Sequence, residues 1–476
     1  MIVETVFKLR ENGTTVRTEI MAGVTTFMTM AYIIALNPNL LTNWRAGGDE
    51  LWNAVFLATC LASGISMVCM AFLANKPFCL APGMGLNSFF AVIVTQIATL
   101  TGATYIASFQ AALTIVLAEG IVFLVLTLCN VVGKVVSSIP TCIRLGMAPA
   151  IGLLLLDIGM GSNAGVMDGQ GTMFYVLRDF FGALTPSSAA ATMTDAFPAM
   201  VVTVATMMLG LLAIVLLEHR GTRGSVLLGM IGASVFYWVC QAVFLGTNPF
   251  ANMAEATWVP SFKDLAGLTL FKFNIEGFLQ LGWATAVSLV VTLCLVDLFD
   301  TLGYLLGVAE QAEMVEDDES MPWLKPALTS DSVGTIVGAC TGTSTITTFA
   351  ESTAGIAAGG RTGLTTLTCG ILFFLCVFVA PIVAVIPAPA TSAALVYVGI
   401  MMLRGLEKVK WRKLEDAVPI ALMLIAMPVS GSIGHAIGLG MIAFSAINIF
   451  TGQANRKYLA TYILSIVFLI SFFFVV

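Results

Sequence analysis

The sequence predicts an all-α polytopic membrane protein, and two properties of its composition support that prediction. Of its 476 residues, 58% are hydrophobic and only 10% are charged, whereas about 25% of the residues in a soluble domain carry a charge. Long runs, for example 77–133 and 273–324, contain no Lys or Arg. A helix that spans a membrane needs about 20 mostly apolar residues, so runs of this length predict many spans.

Polar breaks divide the apolar sequence into about 14 predicted spans. With a cytoplasmic N-terminus, all Lys and Arg residues except Arg45, Arg178, Lys263 and Lys272 fall on the inside, as the positive-inside rule requires. The run 458–476 is either a fifteenth span or an interfacial tail. The predicted spans are 19–38, 53–74, 78–96, 104–129, 145–160, 197–217, 224–244, 284–309, 328–341, 343–358, 363–385, 389–404, 417–430 and 433–450.

The loops and the composition exclude several classes of protein. The external loops 161–196 and 245–283 are long enough to carry structure of their own, and the acidic loop 310–318 indicates a solvated internal connection. A net charge of −6 with only 21 Lys and Arg excludes a nucleic-acid partner, which requires a basic surface. The ten cysteines include no Cys-x-x-Cys pair, so we expect small core residues and no metal site.

Two pairs of segments indicate an internal repeat. Gly23–Tyr32 aligns with Leu295–Tyr304, and Ala148–Gly159 aligns with Ala388–Gly399. The alignments relate the first span to the eighth and the fifth to the twelfth, as two halves of seven spans would. An odd number of spans in each half inverts the second half in the membrane, which is typical of secondary transporters.

Corresponding spans of the two halves are also interrupted. Two prolines and two glycines lie between Lys76 and Asn87 in the third span, which prevents one continuous helix. In the tenth span, Gly342–Phe349 is rich in β-branched residues that favour extended backbone. Each sequence predicts a short extended segment followed by a half-helix, with Asn87 and Glu351 at the two helix entrances. Irregular backbone at membrane depth must line a site or be enclosed by protein, so we expect the two segments to meet.

Three acidic residues inside predicted spans indicate the site. Asp297 and Asp300 are three residues apart, which places them on one face of a helix with Thr301 and Tyr304. Glu351 opens the tenth-span half-helix, where it is a ligand or only a cap. Acids within a span cost several kcal/mol, so a polar cavity that uses them is the simplest explanation.

Other polar residues and one aromatic residue near these acids have weaker signals. Asn87 offers a donor and an acceptor at the matching place in the first half, and Phe349 can stack on a flat ring or simply pack. Glu119 and Asp157 are single acids for which we expect structural or interfacial roles, and Asp331 is expected to cap the ninth span.

The motifs closely resemble those of the AzgA-type purine permeases, a branch of the nucleobase:cation symporters related to the uracil permease fold. The resemblance runs from about Phe7 to the thirteenth span, and Ser88 departs from it where Ala is expected. The segments that carry it are Gly23–Ile33, Asn37-Pro38, Ala81–Asn87, Asp297–Gly303, Gly342–Thr345, Glu351-Ser352 and Gly359–Leu364.

This resemblance implies a proton-coupled carrier of hypoxanthine, guanine or adenine in the cytoplasmic (inner) membrane, often dimeric, with no enzymatic activity and no cofactor besides the proton. It implies a core domain (1–130 and 284–386) and a gate domain (131–283 and 387–476), in two inverted repeats of seven helices. The substrate residues of the family fall here on Asn87, Asp297, Asp300 and Glu351, with Phe349 and the backbone of Ala350 as neighbours.

A mechanistic hypothesis follows from the chemistry of a purine base, which is flat, neutral and polar at its edges. Carboxylates accept hydrogen bonds from its N–H groups, and burial favours the neutral form of an acid. We therefore expect Asp297 or Asp300 to carry the proton while Glu351 binds the base.

Two alternatives remain open. One is a carrier of the same fold for uracil, xanthine or an anion, and the other is a channel. An anion carrier should have a cation near the half-helices, and the sequence places none there. An aspartyl protease is excluded because both aspartates lack the Gly-x-Gly-Asp setting.

Overall fold

The computed structural model describes residues 2–45, 47–132, 139–160, 197–246, 248, 261–311, 321–430 and 433–474. These ranges are almost entirely helical, and ten helical stretches within them are long and apolar enough to cross a membrane. The prediction of a helical polytopic protein is therefore confirmed, and the count of 14 spans stays a prediction. The helices are α1 (Ile2–Phe7), α2 (Val16–Met30), α3 (Ile33–Leu41), α4 (Asp49–Leu73), α5 (Met84–Thr101), α6 (Tyr105–Leu128), α7 (Thr141–Met160), α8 (Phe197–His219), α9 (Ser225–Cys240), α10 (Phe262–Asp264), α11 (Ile275–Gln280), α12 (Trp283–Gln311), α13 (Leu324–Thr341), α14 (Ser352–Ala357), α15 (Gly363–Cys376), α16 (Ala380–Ala384), α17 (Ala388–Met402), α18 (Leu414–Ser430), α19 (Ile433–Phe450) and α20 (Leu459–Phe474).

The predicted loops are covered unevenly by these ranges. The loop 161–196 and residues 312–318 of the acidic loop lie outside the described residues. Where the loop 245–283 is described, it carries structure of its own, as predicted: α10, a π-helical turn at Leu265–Thr269, and α11.

The two interrupted spans pair with each other through a short antiparallel sheet. Strand β1 (Leu80–Pro82) precedes α5, and strand β2 (Ile346–Thr348) precedes α14. Leu80 is opposite Thr348 and Pro82 is opposite Ile346. The pairing satisfies backbone groups that no water reaches at membrane depth. The prediction that both segments are extended and meet each other is therefore confirmed.

The helices that follow the strands differ in length. α5 has 18 residues, about 27 Å of helix, so it is longer than the predicted half-helix because no breaker interrupts it before Gly102. α14 has only 6 residues. It ends before Gly359, whose φ of +101° is a backbone conformation that favours glycine.

The first span, Val16–Leu41, contains a local break in its helical hydrogen bonding at Ala31 and Tyr32, both of which keep helical backbone angles. α2 ends at Met30 and α3 begins at Ile33, and Tyr32 is the N-cap residue of α3. The residues at this break are neither proline nor glycine, so no sequence signal marked it.

Packing is densest within two sets of helices. The first set contains α2, α4, α6, α12, α13 and α15, and the second contains α7, α8, α9, α17, α18 and α19. The strands, α5 and α14 lie with the first set, where α5 contacts α6, β1 contacts α4, and β2 contacts α12 and α13. A cavity lies where the two sets face each other.

The apolar C-terminal run forms α20. This helix packs on α19 and α12, and the hydroxyl groups of Ser445 and Ser465 are hydrogen-bonded at 2.7 Å between α19 and α20. The run is therefore a packed helix of 16 residues.

Candidate ligand cavity

A cavity of about 520 Å³ lies between the two sets of helices, within the range of roughly 300–1,000 Å³ for small-molecule sites. None of its described lining residues is Lys, Arg or His. The first set and its strands contribute Thr29, Tyr32, Gly83, Met84, Gly85, Asp300, Tyr304, Thr347, Thr348, Phe349, Ala350, Glu351, Thr353 and Ala354, and the second set contributes Ala148, Glu218, Gly224, Ser225, Val226, Tyr397, Val398, Met401, Met402 and Gly405.

Glu351 lies at the N-cap position of α14 and faces the cavity. A side chain at this position often accepts a hydrogen bond from the first turn, but Glu351 makes no such bond. Its Oε1 instead accepts a hydrogen bond of 2.8 Å from the hydroxyl group of Tyr32. The carboxylate is therefore held by a side chain of the first span and is open to a ligand.

Asp300 faces the same cavity from α12, one helical turn before Tyr304. Tyr304 lies close enough to interact electrostatically with both Asp300 and Glu351, so the two acids converge on one region. A β-carbon at Gly85 would lie 3.6 Å from Asp300 Oδ2. The N-terminus of α5, where backbone N–H groups lack helical partners, thus approaches Asp300.

Phe349 and Ala350 connect β2 to α14 and both line the cavity. The Phe349 amide donates to the carbonyl oxygen of Cys79 at 2.9 Å, which fixes the backbone beside β1. The ring of Phe349 is 5% exposed, so one part of an otherwise packed aromatic surface borders the cavity. Such a surface can stack on a flat base.

Asn87 is fully buried in the first turn of α5 and does not line the cavity. Its Nδ2 donates to the carbonyl oxygen of Pro82 at 3.1 Å, and its Oδ1 accepts a hydrogen bond from Ser344. Asn87 therefore joins the two interrupted segments. Its role as a direct substrate ligand stays a prediction, as does any effect of Ser88, which donates to the Met84 carbonyl oxygen and lies outside the cavity lining.

Asp297 is also outside the cavity lining, although it is only three residues from Asp300. Three residues of helix separate two side chains by about 60° around the axis. On α12 this angle is enough to divide them: Asp300 and Tyr304 face the cavity, whereas Asp297 is fully buried and contacts Thr301 at 3.2 Å. The spacing in the sequence predicts one shared face of the helix for Asp297, Asp300, Thr301 and Tyr304. In the structure only Asp300 and Tyr304 of these four line the cavity.

Several cavity residues were not identified from the sequence. Tyr32 was inside an aligned repeat but had no assigned role, and Tyr397 and Glu218 come from the second set of helices. Tyr397 interacts electrostatically with Glu218, Glu351 and Arg404. Glu218 lies at the end of its span, next to the basic residues Arg220 and Arg223. An acid in this position is expected at a membrane surface, so the sequence did not indicate that it lines a cavity.

Two acids assigned structural roles from the sequence lie beside Asp297. Glu119 on α6 and Asp331 on α13 are both fully buried and interact electrostatically with Asp297. Asp331 lies in the middle of α13 (Leu324–Thr341), so the expectation that it caps a helix is wrong. Within the described residues, no group of His, Cys, Asp and Glu is arranged to hold a metal ion.

Comparison with known proteins gives a family model, Xan_ur_permease, described as "Permease family", that matches residues 17–437. Adenine permease AdeP of Escherichia coli is 33% identical over 474 residues, which cover 100% of this chain and 96% of that protein. Guanine/hypoxanthine permease PbuO of Bacillus subtilis is 32% identical over 472 residues, with 98% and 99% covered.

Among solved structures, the transmembrane domain of the cyanobacterial bicarbonate transporter BicA superposes with a TM-score of 0.63 at 17% identity, covering 88% of this chain and 97% of that chain. SLC26A9 superposes with a TM-score of 0.63 at 12% identity, covering 92% and 66%. These likenesses establish the transporter fold.

Proposed function

The chain belongs to the Permease family, in a branch with adenine and guanine/hypoxanthine permeases, and from this we propose that it transports hypoxanthine, guanine or adenine across the cytoplasmic (inner) membrane by proton symport. The observation that carries the proposal is the cavity between the two sets of helices, where Asp300, Glu351 and Phe349 meet. We further propose a cytoplasmic N-terminus, in agreement with the distribution of Lys and Arg.

The chemistry of the cavity fits a neutral purine base. The carboxylates of Asp300 and Glu351 are acceptors for ring N–H and amino groups. Backbone N–H groups at the start of α5 are donors for ring nitrogen and carbonyl oxygen atoms. The Phe349 ring supplies a stacking surface, and stacking on an aromatic ring contributes about 1–3 kcal/mol per base.

Proton coupling is proposed for the buried acids Asp297, Asp300 and Glu351. In the cavity lining that is described, no Lys, Arg or His balances Asp300, Glu351 and Glu218, and buried carboxylates without a cationic partner are costly at membrane depth. A proton that binds together with a neutral base would lower this cost during transport.

Alternating access is proposed to result from movement of a core domain (1–130 and 284–386) against a gate domain (131–283 and 387–476). A cavity lined by both sets of helices supports this view, because movement between them would change the access to it. The residues on opposite walls include Glu351 in the core and Tyr397 in the gate.

Two inverted repeats are proposed as the origin of this architecture. In the sequence alignment Gly152 corresponds to Ser392, and Gly159 corresponds to Gly399. A β-carbon at Gly152 would lie 2.7 Å from the Gly399 carbonyl oxygen, and one at Gly159 would lie 3.3 Å from that of Ser392. When each residue is replaced by its counterpart in the other repeat, the contact of Gly152 with Gly399 becomes the contact of Ser392 with Gly159. A two-fold relation between the repeats requires this equivalence.

The proposed function is tested by uptake of radiolabelled hypoxanthine into proteoliposomes with an inward proton gradient. Unlabelled adenine, guanine, xanthine and uracil serve as competitors, and a protonophore serves as the control. We expect saturable accumulation that the protonophore abolishes and that the transported purines inhibit. Competition by uracil or xanthine alone would instead support a carrier of the same fold for those bases, and unsaturable entry would indicate a channel.

Variants of the two cavity acids test the site directly. We expect Glu351→Gln and Asp300→Asn each to reduce proton-driven purine uptake by about a hundredfold, because hydrogen bonds to charged groups contribute about 1.5–3 kcal/mol. Asp157→Asn, which changes a half-buried acid outside the cavity, is the matched control and should retain uptake. Wild-type uptake by both cavity variants would contradict the proposed site.

A further inference from the structure

Three carboxyl groups form a fully buried cluster behind β2, apart from the ligand cavity. Glu119 on α6, Asp297 on α12 and Asp331 on α13 each have 0% exposure, and none of them lines the cavity. We refer to these three residues as the carboxyl cluster. It was not apparent from the sequence because its members are 34 to 212 residues apart along the chain.

Threonine residues donate hydrogen bonds to the carboxyl cluster, mainly through their hydroxyl groups, and the backbone amide of Thr348 also interacts with Asp331. Thr345 Oγ1 donates to Glu119 Oε2 at 2.8 Å, and Thr348 Oγ1 donates to Asp331 Oδ1 at 3.3 Å. Thr301 Oγ1 lies 2.8 Å from Asp331 Oδ2 and 3.2 Å from Asp297 Oδ1. A hydroxyl group has a single hydrogen, so Thr301 can donate to only one of these two carboxyl groups.

Two oxygen atoms of the cluster are buried without a donor. Glu119 Oε1 and Asp297 Oδ2 have no hydrogen-bond partner in the part of the chain that the structure describes. The side chains of Glu119 and Asp297 interact directly with each other. Two adjacent buried carboxyl groups, each with an oxygen atom that no donor satisfies, are stabilised when they share a proton.

Across the described ranges of the chain, no basic side chain balances the charge of the carboxyl cluster. Besides the acids themselves, the titratable group that faces Glu119 and Asp297 is the buried thiol of Cys294. Among the described residues, no Lys, Arg or His forms an ion pair or hydrogen bond with the cluster. Three adjacent carboxylates would repel each other strongly in a medium of low dielectric constant.

We propose that the coupling proton is held between Glu119 and Asp297, in the buried carboxyl cluster and not on the acids of the cavity. This assignment rests on the proposed proton symport. Of the three acids proposed for coupling it retains Asp297, and it adds Glu119 as the residue that shares the proton. Asp300 and Glu351 are left to bind the base. The candidate atoms are Glu119 Oε1 and Asp297 Oδ2, which have no other hydrogen-bond partner among the described residues. The proton bonds covalently to one oxygen and is accepted by the other. When the transporter opens to the cytoplasm, the O–H bond breaks, the proton passes to cytoplasmic water and the carboxylate is left ionised.

The cluster and the cavity share the elements that couple them. Thr348 both donates to Asp331 and lines the cavity, and Phe349 follows it in the chain. α12 carries Asp297 in the cluster and Asp300 in the cavity. A base on Phe349 and a proton between Glu119 and Asp297 therefore both stabilise one arrangement of β2 and α12, and binding of each ligand must favour the other.

The test is Glu119→Gln, whose amide keeps an acceptor for Thr345 and donates to Asp297 in place of the proton. This variant imitates the proton-loaded state permanently. We expect exchange of labelled for unlabelled purine across the proteoliposome membrane to persist, because exchange needs no release of the proton. Accumulation driven by a proton gradient, and the purine-dependent proton flux reported by an internal pH-sensitive dye, should both be lost.

Controls separate this proposal from the proposed function. Wild-type protein must accumulate purine with proton flux; if it exchanges purine without proton flux, or follows a sodium gradient, proton symport itself fails. Asp157→Asn should behave as wild type. If Glu119→Gln accumulates purine with proton flux, the assignment of the proton to this pair is overturned while proton symport stands.

An infrared measurement keeps the proposal testable if Glu119→Gln transports poorly. Purified protein should show the C=O stretching band of a protonated, buried carboxylic acid. We expect the band to disappear in Glu119→Gln and to persist in Asp300→Asn, with purine binding to Glu119→Gln as evidence of its folding. If Glu119→Gln folds and keeps the band, the proton lies elsewhere.

Discussion

Tyr32 connects the first span to the candidate ligand site through a single hydrogen bond. Its hydroxyl group donates to Glu351 Oε1 at 2.8 Å, and the side chain is almost fully buried. It helps to orient the carboxylate, which makes no capping bond to α14 and otherwise interacts with the backbone amide of Glu351 itself. Tyr32 is therefore a positioning residue for the Glu351 carboxylate.

Tyr32→Phe removes this donor and leaves the ring in place. We expect the KM for purine to rise by about tenfold or more, since a hydrogen bond to a charged group contributes about 1.5–3 kcal/mol. Initial rates of uptake against purine concentration measure the effect. Tyr105→Phe is the matched control because its hydroxyl group donates to the Leu41 carbonyl oxygen at 2.7 Å, outside the cavity; an equal rise in both variants would contradict the assigned role.

The cost of burying charge identified some of the important acids in the sequence and missed others. Asp300 and Glu351 stood out because each interrupts an apolar span, and both line the cavity. Glu119 interrupts a span in the same way, but its neighbours Asp297 and Asp331 belong to distant helices. A sequence shows that an acid is buried and does not show which partners it meets.

Glu19 shows how one buried carboxylate can anchor an element far away in the chain. Its Oε1 accepts from the Arg361 amide at 2.9 Å, and its Oε2 accepts from the amides of Thr362 and Thr365 at 3.2 Å each and from the Thr365 hydroxyl group at 2.6 Å. These donors lie at the start of α15, where helical N–H groups lack partners. α2 is thereby attached to α15.

Glu19→Gln replaces one acceptor oxygen by an amino group that faces donors. We expect a loss of about 1–3 kcal/mol of stability, visible as a lower Tm in detergent by fluorescence-monitored unfolding. The KM for purine should not change, since Glu19 is outside the cavity. Glu11→Gln at an exposed site is the control, and an unchanged Tm in Glu19→Gln would refute the anchoring role.

The start of α5 touches the second set of helices at Gly85. A β-carbon there would lie 2.6 Å from Ile151 Cγ2 on α7, closer than side-chain atoms can pack. The absence of a side chain lets α5 lie against α7 beside Asp300. This contact joins the two sets of helices that we propose to move.

Gly85→Ala should therefore slow purine exchange by displacing α5 from α7, and Ile151→Ala in the same chain should restore it by removing the clashing methyl group. Initial exchange rates of the single and double variants form a double-mutant cycle. The Ile151→Ala variant alone is the control for lost packing. Equal purine exchange rates in Gly85→Ala and wild type would show that transport does not depend on the close contact between Gly85 and Ile151.

The relative movement of the two sets is tested by cross-linking them. A β-carbon at Gly224, before α9, would lie 3.6 Å from Met28 Cβ on α2, within the roughly 3.5–4.5 Å of disulfide bonds. We expect Met28→Cys with Gly224→Cys to lose purine exchange on oxidation and to regain it on reduction. The single variants Met28→Cys and Gly224→Cys control for the native thiols, and Gly224→Cys also controls for the strain of a side chain at the φ of +72° of Gly224. Purine exchange by the oxidised double variant would contradict the proposed movement.

The sequence by itself determined the fold class, the two interrupted spans and two of the acids that face the cavity, Asp300 and Glu351. These follow from local properties: apolar composition sets the helices, prolines and β-branched residues set the extended segments, and burial makes an unpaired acid conspicuous. The tertiary structure alone decided the pairing of β1 with β2, the separation of Asp297 from Asp300, and the meeting of Glu119, Asp297 and Asp331. Such contacts depend on how distant helices are rotated against one another, and an angle of about 60° on one helix is enough to move an acid from the ligand cavity into a separate buried cluster.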